Sequence, residues 1–398
     1  MKSRLLLLVT LLISFSACND DRTDENWQEV AGSEIVVNNN LEELETRVIA
    51  SPEKLETPVI ASRSGQTSIS GLKELANIKP ITLDDKTLSA TAVQTFGNYA
   101  VIAYHSHHEG VGGGVDLIDI SDVTNPVLVS SLTYSDRDVN HVLIRSTGSK
   151  EAKFYMLADD SKKGKAYVVE GRIQNGQFAN DGFREIPLLG NSSNSAQIYE
   201  LYLFTGTTGI HGTDGAFQTI NLLTGENIAT AKVDRAHHID FNKNCMVTLS
   251  LTHAGEARLS YYYYHLNIAA PTSTLSLGTI STIDGKNVVR LRDNRAYVAL
   301  SDGGWKVVSL SASSAMTVKH EEPGQPGSLV NGLDVSNDYI FVSHGSEGLR
   351  VYDKKTYALL GQFSSDGGSA NYNSVNDAQT LLLAANGIGG TKIISVTP

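Results

Sequence analysis

Cysteine is nearly absent: Cys18 and Cys245 are the only two in 398 residues. They rule out a disulfide framework, and once Cys18 is lipidated no intramolecular bridge is left. Cys245 opens the apolar run CMVTLSL and reads as a small buried hydrophobe. Stability must therefore come from a conventional core, which a chain of this length can build. Beyond the first residues no apolar stretch approaches the length of a membrane-crossing helix, and long helical patterns are absent. Basic residues are in deficit, 32 against 43 acidic, for a formal net charge of −11. A chain of that sign repels phosphate backbones, which argues against nucleic acid as a partner. There is no H-E-x-x-H, no Cys-His pattern and no G-x-S-x-G, so a zincin helix and a serine-hydrolase elbow lack support.

What is there begins with MKSRLLLLVTLLISFSAC. Lys2 and Arg4 precede an apolar segment, Leu5 to Phe15, too short to span a bilayer but laid out as a secretory signal. Small residues directly before Cys18 resemble a bacterial lipoprotein lipobox, although Phe15 is bulkier than the residue usual there. The resemblance implies removal of residues 1–17 and acylation of Cys18, several acyl chains giving stable anchoring. Losing Lys2 and Arg4 moves the charge from −11 to −13. The acidic cluster in CNDDRTDE resembles the surface-export signal of Bacteroidetes lipoproteins. It implies a lipid-anchored protein on the outer face of the outer membrane.

Residues 18–71 are acidic, polar and low in aromatics, and read as a flexible lipidated tether. Within it LETRVIAS (44–51) recurs as LETPVIAS (55–62), two copies being too few for a solenoid. From residue 72 to 398 short apolar runs alternate with Gly, Asn and Asp. The stretches 97–132, 293–310, 337–363 and 377–396 share one order: polar turn, apolar strand, Gly-rich turn, second strand, polar turn. Seven units follow, starting near residues 90, 138, 192, 236, 285, 329 and 371. Their spacing is that of four-stranded propeller blades. The last unit lacks its outermost strand, and NIKPITLDD (77–85) is expected to supply it and close the ring. The predicted fold is all-β, a seven-bladed β-propeller closed by an N-terminal strand. GGGVDLIDISDVTNPVLVSSL, with its Gly-rich turn, LVIVD-like strand and S-D-x-x-N-P turn, resembles the LVIVD-repeat propellers. That resemblance implies a fold, often secreted or on the cell surface, and no single activity.

In such a blade the strands run a to d outward, and the d–a and b–c connections share one face, where ligands usually bind. Asn140, Asn194, His237, Asn287, Asn331 and Asn373 fall near the start of strand a. His105, Asp159, Ser301, His344 and Asn386 fall at the end of strand b, with His253 close by. A repeated Asn is ordinary turn chemistry, so departures from it carry more information. His237–His238, His141 and the insertion His105 to Gly114 (HSHHEGVGGG) are those departures. The candidate ligand-binding residues are thus His105, His107, His108, Glu109, His141, His237, His238, His253 and His344. A metal is open to this set if the blades bring three or four of them together, but no dedicated spacing is present. DDSKKGK (159–165) reads as a turn and lacks a calcium loop's terminal Glu. YYYY (261–264) reads as inter-blade packing. The expected function is non-enzymatic: a binding or scaffold module for a protein or glycan, with no required cofactor. Its alternatives are a metal- or histidine-dependent polysaccharide lyase or hydrolase using His237, His238, Tyr104 and Arg258, and an outer-membrane assembly factor.

Overall fold

The computed structural model describes residues 26–30, 35–50, 72–106, 111–148, 150–209, 215–263, 268, 270–283, 285–310, 315–325, 327–376 and 378–396. The signal peptide, Cys18, the second LETxVIAS copy, His107, His108 and Glu109 lie outside the described residues.

Seven antiparallel sheets follow one another along the chain, each a blade of four strands, a to d. Blade 1 consists of Ser89–Phe96, Tyr99–His105, Gly113–Asp119 and Val127–Tyr134. The inner strands of the next six blades are Asp138–Ser146, Ser192–Tyr199, Arg235–Phe241, Asn287–Arg292, Gly332–Val335 and Tyr372–Val375. Their starts fall within three residues of the expected unit boundaries. Alternation along each strand sends side chains toward both neighbouring blades, so the core consists of inter-blade layers. Tyr261 and Tyr262 show this directly. The first packs with Cys245 and Val289, the second with Phe204 and Ile239, on opposite sides of blade 4.

The ring closes through the chain's N-terminal part, as expected, but not with the expected residues. Leu72–Ile78 pairs antiparallel with Thr391–Val396 and completes blade 7. Of the stretch 77–85 only Asn77 and Ile78 belong to that strand. Thr82–Leu83 instead forms a tight hairpin with Lys86–Thr87, turning through Asp84 and Asp85 at φ 49° and 62°. Charged Glu74 in LKELANI disguises the strand, because it is buried and pairs with equally buried Lys392 at 2.9 Å.

A second departure concerns the stretch expected as a free tether. Gln28–Glu29 adds to the rim of blade 2, Ile35–Asn38 to blade 1 and Val48–Ala50 to blade 7. Outer strands present unpaired backbone groups, which these segments satisfy, while Ile35, Val37 and Val48 also pack against the core. Trp27 and Leu44 are buried anchors, 7% and 1% exposed. Arg47, in the first LETxVIAS copy, donates to both carboxylate oxygens of the fully buried Asp116 at 2.9 and 2.6 Å. Asp116 also accepts from Tyr104 Oη at 2.7 Å.

Candidate functional site

Strands a surround the axis, and their first residues build its mouth on the face that carries the d–a and b–c connections. In blades 1 to 4 strand a carries a β-bulge at the same place. The extra residue is Thr91, Asn140, Asn194 or His237. A bulge leaves one residue outside the ladder and re-aims its side chain. Blades 5 to 7 have no bulge there, and Asn287, Asn331 and Asn371 stand at that level. The expected ring is therefore real except in blade 7. Asn371 holds the position assigned to Asn373, which donates instead to Phe341 O and Ser343 Oγ of blade 6.

These amides stitch blades together. Asn331 Nδ2 donates to Asn371 Oδ1 at 3.5 Å, and Asn371 Nδ2 to Ala90 O at 3.1 Å. Asn140 donates to Asp159, which also accepts from Ser192 Oγ and Ser193 N of blade 3. Burial outweighs those bonds and pushes the Asp159 carboxyl up to about 7.

Three residues after each ring position comes a second layer: Gln94, Leu143, Gln197, Asp240, Arg290, Asp334 and Ser374. It lines openings toward the opposite face. Here Asp240 Oδ2 accepts from Leu291 N at 2.7 Å and Asp334 Oδ2 from Val375 N at 2.8 Å, each joining the next part of the ring. Burial raises both carboxyls, with Arg290 opposing. Sequence reading missed this layer. Its signal was the fixed offset of three from the Asn ring, hidden because the residue type changes in every blade.

The end-of-strand-b register holds for His344 and Asn386, whose N–H groups donate to Gly348 O and Gly390 O at 2.7 Å. Leu300 makes the same bond to Gly304 O at 2.8 Å, so Ser301 lies one residue beyond the place assigned to it. Ser301 corresponds to Gly345 and Gly387, all three left-handed, and each bridges the following blade.

The histidines separate into two groups. His141 and His238 sit at equivalent positions directly after the bulge, and His237 is the bulge itself. All three are buried and line a cavity of about 50 Å³ with Asn194, Lys286 and Asn287. Burial pulls His141 down to about 3, helped by the charges of Arg290 and Lys286, and His238 is lowered for the same reasons. The His141 and His238 imidazoles are neutral at ordinary pH. His344 is buried elsewhere, 3.3 Å from Tyr352 Oη, and is also lowered to about 3 by burial. His253 is exposed, its Nδ1 2.8 Å from Asp234 Oδ2. His105 ends strand b of blade 1, half-buried, outside the cavity lining.

Among the described residues no three His, Cys, Asp or Glu side chains converge to hold a metal ion. Nor does the set His237, His238, Tyr104 and Arg258 come together. Tyr104 is fully buried against Asp116, and Arg258 pairs with Glu256 on strand c. Asp160 in DDSKKGK accepts from Lys163 N at 2.9 Å, an ordinary turn.

Farther from the axis on the same face lies a larger cleft, about 470 Å³, between blades 7 and 1. The Thr82–Thr87 hairpin, Ser106, Val111 and Ile388 form its walls. Leu83 and Ile388 give it an apolar floor and Asp84 and Asp85 an acidic rim, with Ile388 45% exposed.

The repeat is decided by two stretches. Residues 89–133, blade 1, and 287–321, blade 5, match the family model of the LVIVD repeat. The chain carries LVIVD repeats. Each matched LVIVD stretch covers one blade from strand a into strand d. No curated protein matches the chain.

Proposed function

We propose that this LVIVD-repeat propeller is a non-enzymatic binding or scaffold module that takes a protein or glycan on the face carrying the d–a and b–c connections, at the cleft between blades 7 and 1. We further propose that acylated Cys18 anchors it to the outer membrane, facing outward. The observation that carries the first part is the division of that face. His141, His237 and His238 line a cavity too small for a polymer, whereas the cleft is of ligand size, with an apolar floor and a polar rim. Nor do Tyr104 and Arg258 join His237 and His238 as a lyase set would require: Tyr104 is fully buried against Asp116, and Arg258 pairs with Glu256.

A glycan array and capture of cell-surface proteins test the reading. Binding should weaken at least tenfold in Ile388→Asp and persist in His237→Ala. Polysaccharide turnover abolished by His237→Ala would overturn it. For the anchor, incorporation of a clickable palmitate analogue should vanish in Cys18→Ala. Protease added to intact cells should remove the propeller, and complete protection would place it on the inner side.

A further inference from the structure

We propose that the ring meets the bilayer on one edge, at the junction of blades 2 and 3, and so stands with blade 6 outermost. This orientation rests on the acylated Cys18 proposed above. It follows from where the N-terminal segment is fastened. Asn26 N and Nδ2 both donate to Thr224 O, in the turn between strands c and d of blade 3, at 3.3 and 3.1 Å. Trp27 is buried in one apolar cluster with Ile186 and Leu188 of blade 2 and Leu222 of blade 3. Gly225 makes room for it, since a Cβ there would meet the indole at 3.0 Å. Gln28–Glu29 then pairs with Glu185 and Arg184 on the rim of blade 2.

Chain length turns this fastening into a distance. Cys18 precedes Asn26 by eight residues, which reach at most about 26–29 Å when fully extended. A tether running free to Leu72 would reach about 180 Å and leave the ring no preferred side. The docked segment removes that freedom and brings the acyl chains under one pair of blades.

The same junction exposes apolar side chains. Leu189, in the connection from blade 2 to blade 3, is 54% exposed, and Ile228, the bulged residue of strand d in blade 3, is 42% exposed. Gln218 holds the two stretches side by side. Its amide accepts from Leu189 N and donates to Leu189 O, both at 2.9 Å, and it also accepts from Asn227 Nδ2 at 3.1 Å. Exposed Lys165 precedes Ala166, whose backbone bonds Leu188 and Gly190 on either side of Leu189. A lysine so placed lays its stem along lipid with the ammonium at headgroup level. Glu226 is exposed at the same junction, so apolar area and reach carry the contact rather than net charge. The cleft between blades 7 and 1 lies two blades round the ring, clear of the lipid.

The test uses the acylated full-length protein in vesicles of phosphatidylethanolamine and phosphatidylglycerol that carry a headgroup nitroxide. A bimane fluorophore is attached at Glu226→Cys or at Lys355→Cys, exposed positions in the c–d turns of blades 3 and 6. Cys245 does not compete for the label, being buried with its thiol pushed up to about 11. Quenching should be severalfold greater at position 226 than at position 355. A Gly-Ser spacer of about 30 residues between Thr23 and Asp24 should narrow that ratio while leaving every described contact in place. Leu189→Asp combined with Ile228→Asp should narrow it as well. Flotation with the vesicles reads the anchor separately and should be lost in Cys18→Ala. Wild-type protein that floats with equal quenching at the two positions overturns the orientation and leaves the anchor standing, whereas wild-type protein that does not float overturns both. A ratio unchanged by the spacer and by the paired Asp substitutions would also overturn the orientation.

Discussion

At the scale of single residues the repeat shows most plainly in its glycines. Gly304, Gly348 and Gly390 occupy one position after strand b, with φ of 77°, 88° and 86°. A Cβ there would meet the carbonyl of Glu322, Phe363 or Ile78 at 2.0 to 2.1 Å, in each case the outer strand of the same blade. Gly390→Ala is the most informative, because Ile78 belongs to the closing strand. It should lower stability by about 3 kcal/mol, read as a reduced urea midpoint at unchanged slope; an unchanged midpoint would mean the closing strand yields freely. A pH effect also belongs to this scale. His344 is held near 3 by burial, against 6.5 in an unfolded chain. The unfolded state thus gains a proton below pH 6.5 that the folded state refuses. The stability His344 contributes is complete above pH 6.5 and declines as pH falls toward 3, by about 1.4 kcal/mol per pH unit within that window. Asp159, raised to about 7, works in the opposite sense: its contribution is complete below pH 3.8 and lost as pH rises to 7. Only a paired comparison isolates either group. His344→Gln should lose less stability than the wild type between pH 6.5 and 4 in denaturant titrations, and parallel curves would refute the assignment.

At the scale of elements the unexpected participant is the N-terminal segment. Its three short strands pair with three blade rims, Ile35, Val37 and Val48 packing against the core, and Arg47 fixes the join between the short helix Leu41–Glu45 and the strand Val48–Ala50. Asp116 is fully buried, so removing the guanidinium strands a carboxylate whose remaining side-chain donor is Tyr104. Arg47→Met should cost about 3–5 kcal/mol, and adding Asp116→Asn should recover a large part of it. Thermal unfolding of the single and double variants gives the coupling directly; strictly additive losses would show that the pair is not the anchor. The second LETxVIAS copy has Pro58 where the first has Arg47. It lacks both the guanidinium and a backbone donor, which explains why one copy alone has the chemistry of this anchor.

For the whole molecule, blade number and order were legible because each blade repeats a period-two apolar pattern between Gly- and Asn-rich turns. Seven predicted starts land on seven inner strands. The channel was less legible: ring members at Asn140, Asn194, His237, Asn287 and Asn331 could be read, but burial could not, and burial made His141 and His238 neutral wall beside the equally buried His237. Lys286 and the layer from Gln94 to Ser374 were missed, since the residue type at the layer position changes from each blade to the next. The closing strand was displaced because Glu74 breaks its apolar alternation and finds Lys392 only in three dimensions. That strand decides the integrity of the ring. A chain starting at residue 52 keeps Leu72–Ile78 and loses the rim strands with Trp27, Leu44 and Arg47, so it should stay a closed ring of the same association state, with a lowered unfolding midpoint. A chain starting at residue 80 leaves Thr391–Val396 as an uncovered edge and removes buried Leu72, Ala76 and Ile78. An unpaired apolar edge is a template for another chain, so this form should associate or precipitate in size-exclusion chromatography. A monomer with the unfolding midpoint of the chain starting at 52 would show that the seven blades hold together without the closing strand.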